Sequence, residues 1–252
     1  MTLSIGASLQ NGLRRSATRS GLVVFLLTLV YQIVLIAATN TLAVDLLQQI
    51  GVDDVPAVGV TLPVSMLVAA AIGVGALLFG LASYPISVRL LSREQTALAT
   101  LPRSLFTRRL GRLVVSTLAV TLVMTPPIVL GFLLIVPGLY LAVSLQFTVF
   151  AIATEDAGPL TAFRRSWTLA TGNRWRLLGM LLVLAALIGL ASGLGTLAAA
   201  ISPAAGQVVA AIATAAAVVV TYGVLADAFR QLGGEPPTRR RQTPPGVDPS
   251  PM

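Results

Sequence analysis

The sequence contains no cysteine and no histidine, and all 17 of its basic residues are arginine because lysine is absent as well. Without cysteine and histidine, disulfide bonds, zinc sites built from those residues and catalysis by a Ser–His or Cys–His pair are excluded. The nine acidic residues do not cluster as a metal or lipid-cleaving site would require. We therefore predict no metal, no cofactor and no catalytic residue, and expect that the protein is not an enzyme.

Charge is scarce too. Charged residues make up 10% of the chain and hydrophobic residues 56%, with a mean hydropathy of +0.88. An ordinary soluble domain has about 25% charged residues. A chain of 252 residues accommodates six spans of about 20 residues each, together with connectors and tails. The composition therefore predicts an integral membrane protein.

The apolar segments predict an all-α integral membrane protein, N-in/C-in, whose six transmembrane helices form three αα-hairpins. A six-helix domain at 21–232 would follow an amphipathic interfacial segment at 1–20, and a disordered tail rich in proline and arginine would occupy 233–252. The predicted spans cover about 21–39, 62–91, 110–125, 128–153, 177–200 and 206–229, with an interfacial helix at 159–172.

The arginines fall on one side of this topology. They precede the first span, follow the sixth, and lie in the connectors after the second and fourth, whereas the intervening loops have none. Because arginine in short loops stays on the cytoplasmic side, we expect a multi-pass protein of the cell (plasma) membrane with both termini in the cytoplasm. The net charge of +8 then favours anionic lipid headgroups, rather than nucleic acid, as partners.

Prolines mark the predicted hairpin between the third and fourth spans. Pro126 and Pro127 lack backbone donors and favour extended geometry before them, so we predict the outer turn there. Pro137 and Gly138 then fall within the fourth span and predict a helix kink.

The connector after the fourth span predicts an amphipathic helix at the membrane surface. Glu155 and Asp156 precede Pro159, and both acids and proline favour a helix N-terminus. Leu160, Phe163 and Trp167 recur on one face, while Arg164 and Arg165 lie on the other. Trp175 follows as a second interfacial anchor.

Paired arginines precede three of the spans, as Arg14–Arg15, Arg108–Arg109 and Arg164–Arg165. One interpretation is a threefold internal repeat of surface helix plus hairpin. The alternative is that the positive-inside rule alone places arginine before each outward-going helix.

One stretch carries a more specific pattern. It comprises PGLYL at 137–141, Glu155 with Gly158–Pro159, and AFRRSW followed by TGN-x-WRLLG at 162–179. This pattern resembles the membrane domain attached to some glycerophosphoryl diester phosphodiesterases, and its stand-alone YciC-like and uncharacterised archaeal and bacterial relatives. The resemblance implies a polytopic membrane domain, usually without an assigned activity. The phosphodiesterase chemistry belongs to a separate soluble domain that uses histidine, so the resemblance does not extend to that activity.

The candidate binding residues are arginines and tryptophans of the connectors, because arginine forks match phosphate oxygens. They are Arg164, Arg165, Trp167, Trp175, Arg176, Arg108 and Arg109. For Arg164 and Arg165, with Glu155 and Asp156, the alternative is that they only hold the connector to the ends of neighbouring spans. Asp227, near the inner end of the last span, is expected to pair with Arg230, with proton relay as its functional alternative.

Small residues four apart, such as Ala69–Gly73, Ala76–Gly80 and Gly189–Gly193, predict close helix contacts within the bundle or between copies. We therefore expect a non-enzymatic membrane module, lipid-associated or acting as a scaffold for a protein partner or homo-oligomer. The alternatives are a transporter or channel component with a kinked fourth span, and, less in keeping with the scattered acids, a membrane-embedded enzyme on lipids.

Overall fold

The computed structural model describes residues 4–52, 58–101 and 110–233, and all regular secondary structure in those ranges is helical. The prediction of an all-α protein is therefore confirmed for them. Nine α-helices and one 3-10 helix, Gln95–Ala99, are present there. The α-helices are α1 (Ile5–Ser16), α2 (Arg19–Gln49), α3 (Met66–Leu91), α4 (Leu110–Leu133), α5 (Val136–Leu145), α6 (Thr148–Glu155), α7 (Pro159–Ala170), α8 (Arg174–Ala198) and α9 (Pro203–Gln231).

Within the described ranges, six helical stretches are long and apolar enough to cross a membrane. Five of them are α2, α3, α8, α9 and most of α4, and the sixth, Val136–Glu155, combines α5 and α6. The most extensive helix contacts join α8 to α9 and α2 to α3, and α1 packs along α9. The predicted number of apolar helices is thus confirmed.

The first long helix extends well beyond the predicted end at residue 39. Residues 40–49 contain neither proline nor glycine, and α2 continues through them to Gln49. Gly51, with φ of +86°, follows its end because glycine tolerates this left-handed geometry. The interval between the predicted spans 21–39 and 62–91, which we expected to be an outer loop from Asn40 to Thr61, is therefore helical in its first part. Its acids Asp53 and Asp54 lie outside the described residues.

The outer turn of the next hairpin is not at the paired prolines. Pro126 and Pro127 lie inside α4, which continues to Leu133, and the turn falls at Leu134 and Ile135. A β-carbon placed on Gly131 would lie 2.8 Å from the Cα of Gly138. The close approach of α4 and α5 therefore depends on glycine, which the proline rule does not take into account.

The helix kink predicted at Pro137 and Gly138 is also wrong in position. Pro137 lies in the first turn of α5, where its missing N–H is not needed. The break in this stretch comes later, at Gln146 and Phe147, between α5 and α6.

α6 lies within the buried core of the bundle, to which α3, α4, α5, α7, α8 and α9 also contribute residues. In the apolar 18-residue segment of Val136–Glu155, 56% of the segment is buried, against 17–39% in the corresponding segments of the other five stretches. Phe147 and Phe150 contact Phe229 of α9, with ring centroids 5.8 and 5.9 Å apart. α6 also packs against α3 and α7. It is therefore surrounded mainly by protein, whereas the other stretches leave most of their apolar surface outward.

Candidate functional site

Contacts between helix ends bring the arginine-bearing segments together. Arg15 of α1 donates to the carbonyl of Leu91, at the end of α3, over 2.9 Å. Arg89 of α3 donates to the carbonyl of Ala153 in α6 over 3.0 Å. We call this face of the bundle the arginine end. Every arginine of the described ranges lies on a helix terminus or connector that meets there: Arg14, Arg15, Arg19, Arg89, Arg93, Arg112, Arg164, Arg165, Arg174, Arg176 and Arg230.

Arg15 is the buried member of the predicted Arg14–Arg15 pair. Its side chain is 4% exposed and donates to the carbonyls of Leu91 and Arg93, over 2.9 and 2.6 Å. Burial lowers the pKa of its guanidinium, the charge of Arg230 lowers it further, and Asp227 raises it. Because a guanidinium stays protonated in proteins, Arg15 is a buried cation that fastens α1 to the end of α3.

Asp227 lies at the interface of α1 and α9. Its carboxylate accepts hydrogen bonds from Asn11 over 3.2 Å and from Gln231 over 2.7 Å. Gln231 also donates to the hydroxyl of Ser8 over 3.0 Å. The expected partner, Arg230, is replaced by Asn11 because α1 packs on α9, which helical spacing within α9 alone does not reveal.

The packed face of α1 consists of small residues. Gly12 lies against Val224, and a β-carbon on Gly12 would be 2.7 Å from the Val224 nitrogen. Ser8 and Gly12 are buried, whereas Leu13, which forms an apolar stripe with Ile5 and Leu9 at every fourth position, is 57% exposed. Ile5 and Leu9 are partly buried against the core. The N-terminal helix is thus docked on the bundle, with part of its apolar stripe outward.

The connector acids form ion pairs instead of starting a helix. Glu155 is the last residue of α6, and Arg165 of α7 lies 3.3 Å from its carboxylate. Asp156 lies 3.6 Å from Arg89. Pro159 occupies the first turn of α7 as predicted, but that turn has no acidic residue. Arg165 also donates to the carbonyl of Gly233 over 2.6 Å, so its contacts match the interpretation that it holds the connector in place.

α7 packs Ala162, Ser166, Leu169 and Ala170 against the bundle. Ala162 and Ser166 are fully buried, whereas Leu160 and Trp167, on the predicted apolar face, are 76% and 39% exposed. The Ser166 hydroxyl accepts from the amide of Phe147 over 3.1 Å and donates to the carbonyl of Ser144 over 2.9 Å. It thereby satisfies backbone groups at the break between α5 and α6. Sequence reasoning missed Ser166, although it stands in the conspicuous FRRSW segment.

At the arginine end, one arginine stacks on two aromatic rings. The guanidinium carbon of Arg174, in the first turn of α8, lies 4.6 Å from the ring centroid of Tyr140 and 5.1 Å from that of Trp167. The two rings contact each other edge to face at 5.5 Å. Trp167 was among the predicted binding residues, whereas Tyr140 and Arg174 were not, because the spacing of the three residues along the chain gives no indication of the cluster.

The remaining predicted binding residues divide into two groups. Arg164, Trp175 and Arg176 have exposed side chains. Arg108 and Arg109, like the predicted tail beyond residue 233, lie outside the described residues. Within 4–52, 58–101 and 110–233, no group of three acidic residues is placed to hold a metal ion. The arginine end therefore offers cationic side chains, with arginines and tryptophans at the border of the apolar helices.

The opposite end of the bundle is held by amides. Gln207, in the first turns of α9, accepts hydrogen bonds from Asn40 and from the Val60 amide, each over 2.9 Å, and donates to the carbonyl of Val58 over 2.7 Å. Asn40 donates to the carbonyl of Val60 over 2.8 Å. Asn40 and Gln207 thus form a helix–helix hydrogen bond between α2 and α9.

The described part of the chain is thus a helical bundle with six apolar helices of membrane-spanning length and with its arginines gathered at the arginine end. Residues 3–232 match a protein family described as Domain of unknown function (DUF7847), and the chain belongs to that family. No curated protein and no solved structure matches the chain. The resemblance to the membrane domain of glycerophosphoryl diester phosphodiesterases stays a prediction.

Proposed function

We propose that the protein is a non-enzymatic, multi-pass module of the cell membrane that binds anionic lipid headgroups at its arginine end. Its six spans form three antiparallel hairpins, and both termini lie in the cytoplasm. The observation that carries this proposal is the convergence of every described arginine on one end of the bundle. Such asymmetry is typical of the cytoplasmic side, where anionic lipids are concentrated.

The exposed faces of the two short helices support lipid contact. Both α1 and α7 pack serine, glycine or alanine against the bundle, α7 together with Leu169, and leave Leu13 of α1 and Leu160 and Trp167 of α7 outward. Each of these helices also carries an exposed arginine, Arg14 or Arg164. An amphipathic helix with outward leucine and tryptophan beside arginine suits the interface between acyl chains and headgroups.

The contacts of the paired arginines lead us to separate their roles. Arg165 is engaged by Glu155 and the Gly233 carbonyl, so we assign it to holding the connector. Arg164 is exposed, one residue away on the same helix. Each arginine near an anionic surface contributes about 1 kcal/mol to binding. We therefore assign headgroup contact to Arg164, together with exposed arginines such as Arg14.

Native mass spectrometry of the gently solubilised protein tests the proposal, with Arg164→Gln and Arg165→Gln as a matched pair. We expect wild type to retain anionic phospholipid and Arg164→Gln to retain less, with its unfolding unchanged. We expect Arg165→Gln to be destabilised while keeping lipid in its folded fraction. Protein that retains no phospholipid, or that carries only a stoichiometric protein partner, would contradict lipid binding and favour a protein scaffold.

One observation favours transport as a second candidate function. Both polar atoms of the Gln146 amide are buried without a hydrogen-bond partner among the described residues, at the break between α5 and α6. Broken helices with unpaired polar groups form substrate sites in many transporters. A solute flux in proteoliposomes that Gln146→Leu abolishes would establish this function. Equal solute permeability of wild type, Gln146→Leu and empty liposomes would exclude it.

A further inference from the structure

A groove of about 510 Å³ lies between α5 and α8, beside the stacked Arg174. Its apolar walls are formed by Val136, Leu139 and Val143 on one side and Leu178 on the other, with Tyr140, Arg174 and Trp175 completing the lining. Its volume falls within the range of about 300–1,000 Å³ found for small-molecule sites. Apolar walls with one cation at the edge are suited to an amphiphile whose polar group is anionic.

Arg174 has no anionic partner in the described part of the chain. Its guanidinium lies over the rings of Tyr140 and Trp167, and its Nε is buried without a hydrogen-bond partner there. Stacking uses the face of a guanidinium and leaves the N–H groups at its edge available. A buried donor without a partner is costly, so a phosphate at this edge would satisfy both the charge and the hydrogen bonding.

The position of Arg174 along its helix fits a lipid. It is the first residue of the apolar stretch Arg174–Ala198, and the neighbouring Trp175 is 85% exposed. Tryptophan at the end of a span marks the level of the headgroups. Leu178 lies one turn further along α8, so a chain entering the groove from Arg174 passes from the polar interface into apolar surroundings.

We infer that this groove is a binding site for one anionic phospholipid of the surrounding bilayer. An acyl chain would lie against Leu139, Val143 and Leu178, and the phosphate would bind the guanidinium of Arg174. The preference for an anionic headgroup follows because a zwitterionic lipid brings its own ammonium group next to the arginine. This inference rests on the proposed lipid-binding function and names a site distinct from the surface arginine Arg164.

The chain offers an intrinsic probe, because its two tryptophans both border this site. Trp167→Phe keeps an aromatic ring under Arg174 and leaves Trp175 as the only tryptophan. In this background, the protein is reconstituted in phosphatidylcholine containing increasing fractions of dibrominated phosphatidylglycerol. In a parallel series the dibrominated lipid is phosphatidylcholine itself. Bromine quenches tryptophan fluorescence on contact, so the two series compare the two headgroups at the same position.

We expect half-maximal quenching of Trp175 at a fraction of anionic lipid about five-fold lower than for the zwitterionic lipid. Arg174→Gln should bring this ratio close to one, and Arg174→Lys, which keeps the charge without the planar fork, should retain part of it. Arg164→Gln should leave a clear anionic preference at Trp175, because Arg174 retains its guanidinium. An unaltered circular dichroism spectrum of the Arg174 variants serves as the folding control.

Equal quenching by the two lipids in the parent protein would overturn the inference, as would a preference that survives Arg174→Gln. If phosphatidylglycerol shows no preference at Trp175 while native mass spectrometry finds lipid that Arg164→Gln removes, the groove is wrong and the proposed function stands. If no lipid is retained and no preference is seen, both fail.

Discussion

The hydroxyl oxygen of Ser166 lies 3.1 Å from the backbone nitrogen of Phe147, which ties α7 to the break between α5 and α6. The same hydroxyl donates to the carbonyl of Ser144 over 2.9 Å. A broken helix leaves backbone groups without partners, and in an apolar bundle water is not available to satisfy them. The Ser166 side chain therefore supplies hydrogen bonds to backbone groups that the break between α5 and α6 would otherwise leave without partners.

Ser166→Ala should destabilise the protein by about 1–3 kcal/mol, because it leaves a buried N–H and a buried carbonyl without this partner. Thr168→Ala is the control, since the exposed Thr168 hydroxyl bonds only to the carbonyl of Arg164 in its own helix. Unfolding in mixed micelles, followed by circular dichroism, measures both. Equal stability of the two variants would show that the Ser166 contact is dispensable.

Gly12→Ala should weaken the docking of α1, because the added carbon would meet the backbone of Val224. Overpacking of this kind costs about 1–3 kcal/mol. Gly6→Ala in the same helix meets nothing within 4 Å and should be neutral or stabilising, since alanine favours helix. Limited proteolysis of the N-terminal segment is the measurement. If Gly12→Ala is no more susceptible than Gly6→Ala, the tight packing of α1 on α9 is wrong.

Arg15→Gln should destabilise the protein more than Arg14→Gln, although the two residues are adjacent in sequence. The buried Arg15 donates hydrogen bonds to two carbonyl oxygens. Loss of each of these charged hydrogen bonds should lower the free energy of unfolding by about 1.5–3 kcal/mol. Arg14 is exposed, so its neutralisation should lower affinity for anionic vesicles with little effect on unfolding. Chemical unfolding and vesicle co-sedimentation of both variants measure these effects. The reverse order of stabilities would exclude the buried contacts of Arg15.

Gln207→Ala should loosen the segment 58–60 at the opposite end without affecting residue 62. The Val60 amide donates to Gln207, whereas the Leu62 amide donates to the hydroxyl of Thr41 over 2.8 Å. Hydrogen exchange should therefore be about ten-fold or more faster at Val60 if the lost bond is worth about 1.4 kcal/mol. Leu62 and the exposed-site variant Gln48→Ala are the controls. Unchanged exchange at Val60 would show that Gln207 does not hold this loop.

Hydropathy sufficed to predict the number and approximate positions of the apolar helices, because membrane thickness sets their length. It failed at two boundaries. α2 continues to Gln49 because residues 40–49 contain no proline or glycine that would end a helix. Pro126 and Pro127 lie within α4, and the turn falls eight residues after Pro126, at Leu134, beside the close approach of Gly131 and Gly138.

The packed faces of the short helices could not be predicted from apolar periodicity. In a soluble protein an apolar stripe faces the core, but in a bilayer lipid is equally apolar. Ser8 and Gly12 of α1 and Ala162 and Ser166 of α7 therefore face the bundle, while Leu13 is left mostly outward. A pair of small residues four positions apart marks the packed face of each helix, whereas of the large apolar residues Leu169 is buried and Leu13 and Leu160 are exposed.

The polar partnerships depended on tertiary contacts. Local spacing predicted that Asp227 pairs with Arg230, but Asn11 reaches it from a helix more than 200 positions earlier in the chain. The stacking of Arg174 on Tyr140 and Trp167 likewise joins α8, α5 and α7. The bond of Asn40 to Gln207 likewise depends on the packing of α2 against α9. The sequence thus indicated which single positions are polar or charged, but not which residues these side chains contact.

Labelling of single cysteines tests most directly our proposal that the arginine end faces the cytoplasm and the Gln207 end faces outward. The chain has no cysteine of its own, so each introduced thiol is unique. Gln48→Cys and Ala200→Cys lie exposed towards the Gln207 end, and Thr96→Cys lies exposed at the arginine end. In intact cells a membrane-impermeant maleimide should label the first two, and label the third only after lysis. Labelling of Thr96→Cys alone in intact cells would reverse the topology and contradict the proposed contact with cytoplasmic anionic lipid.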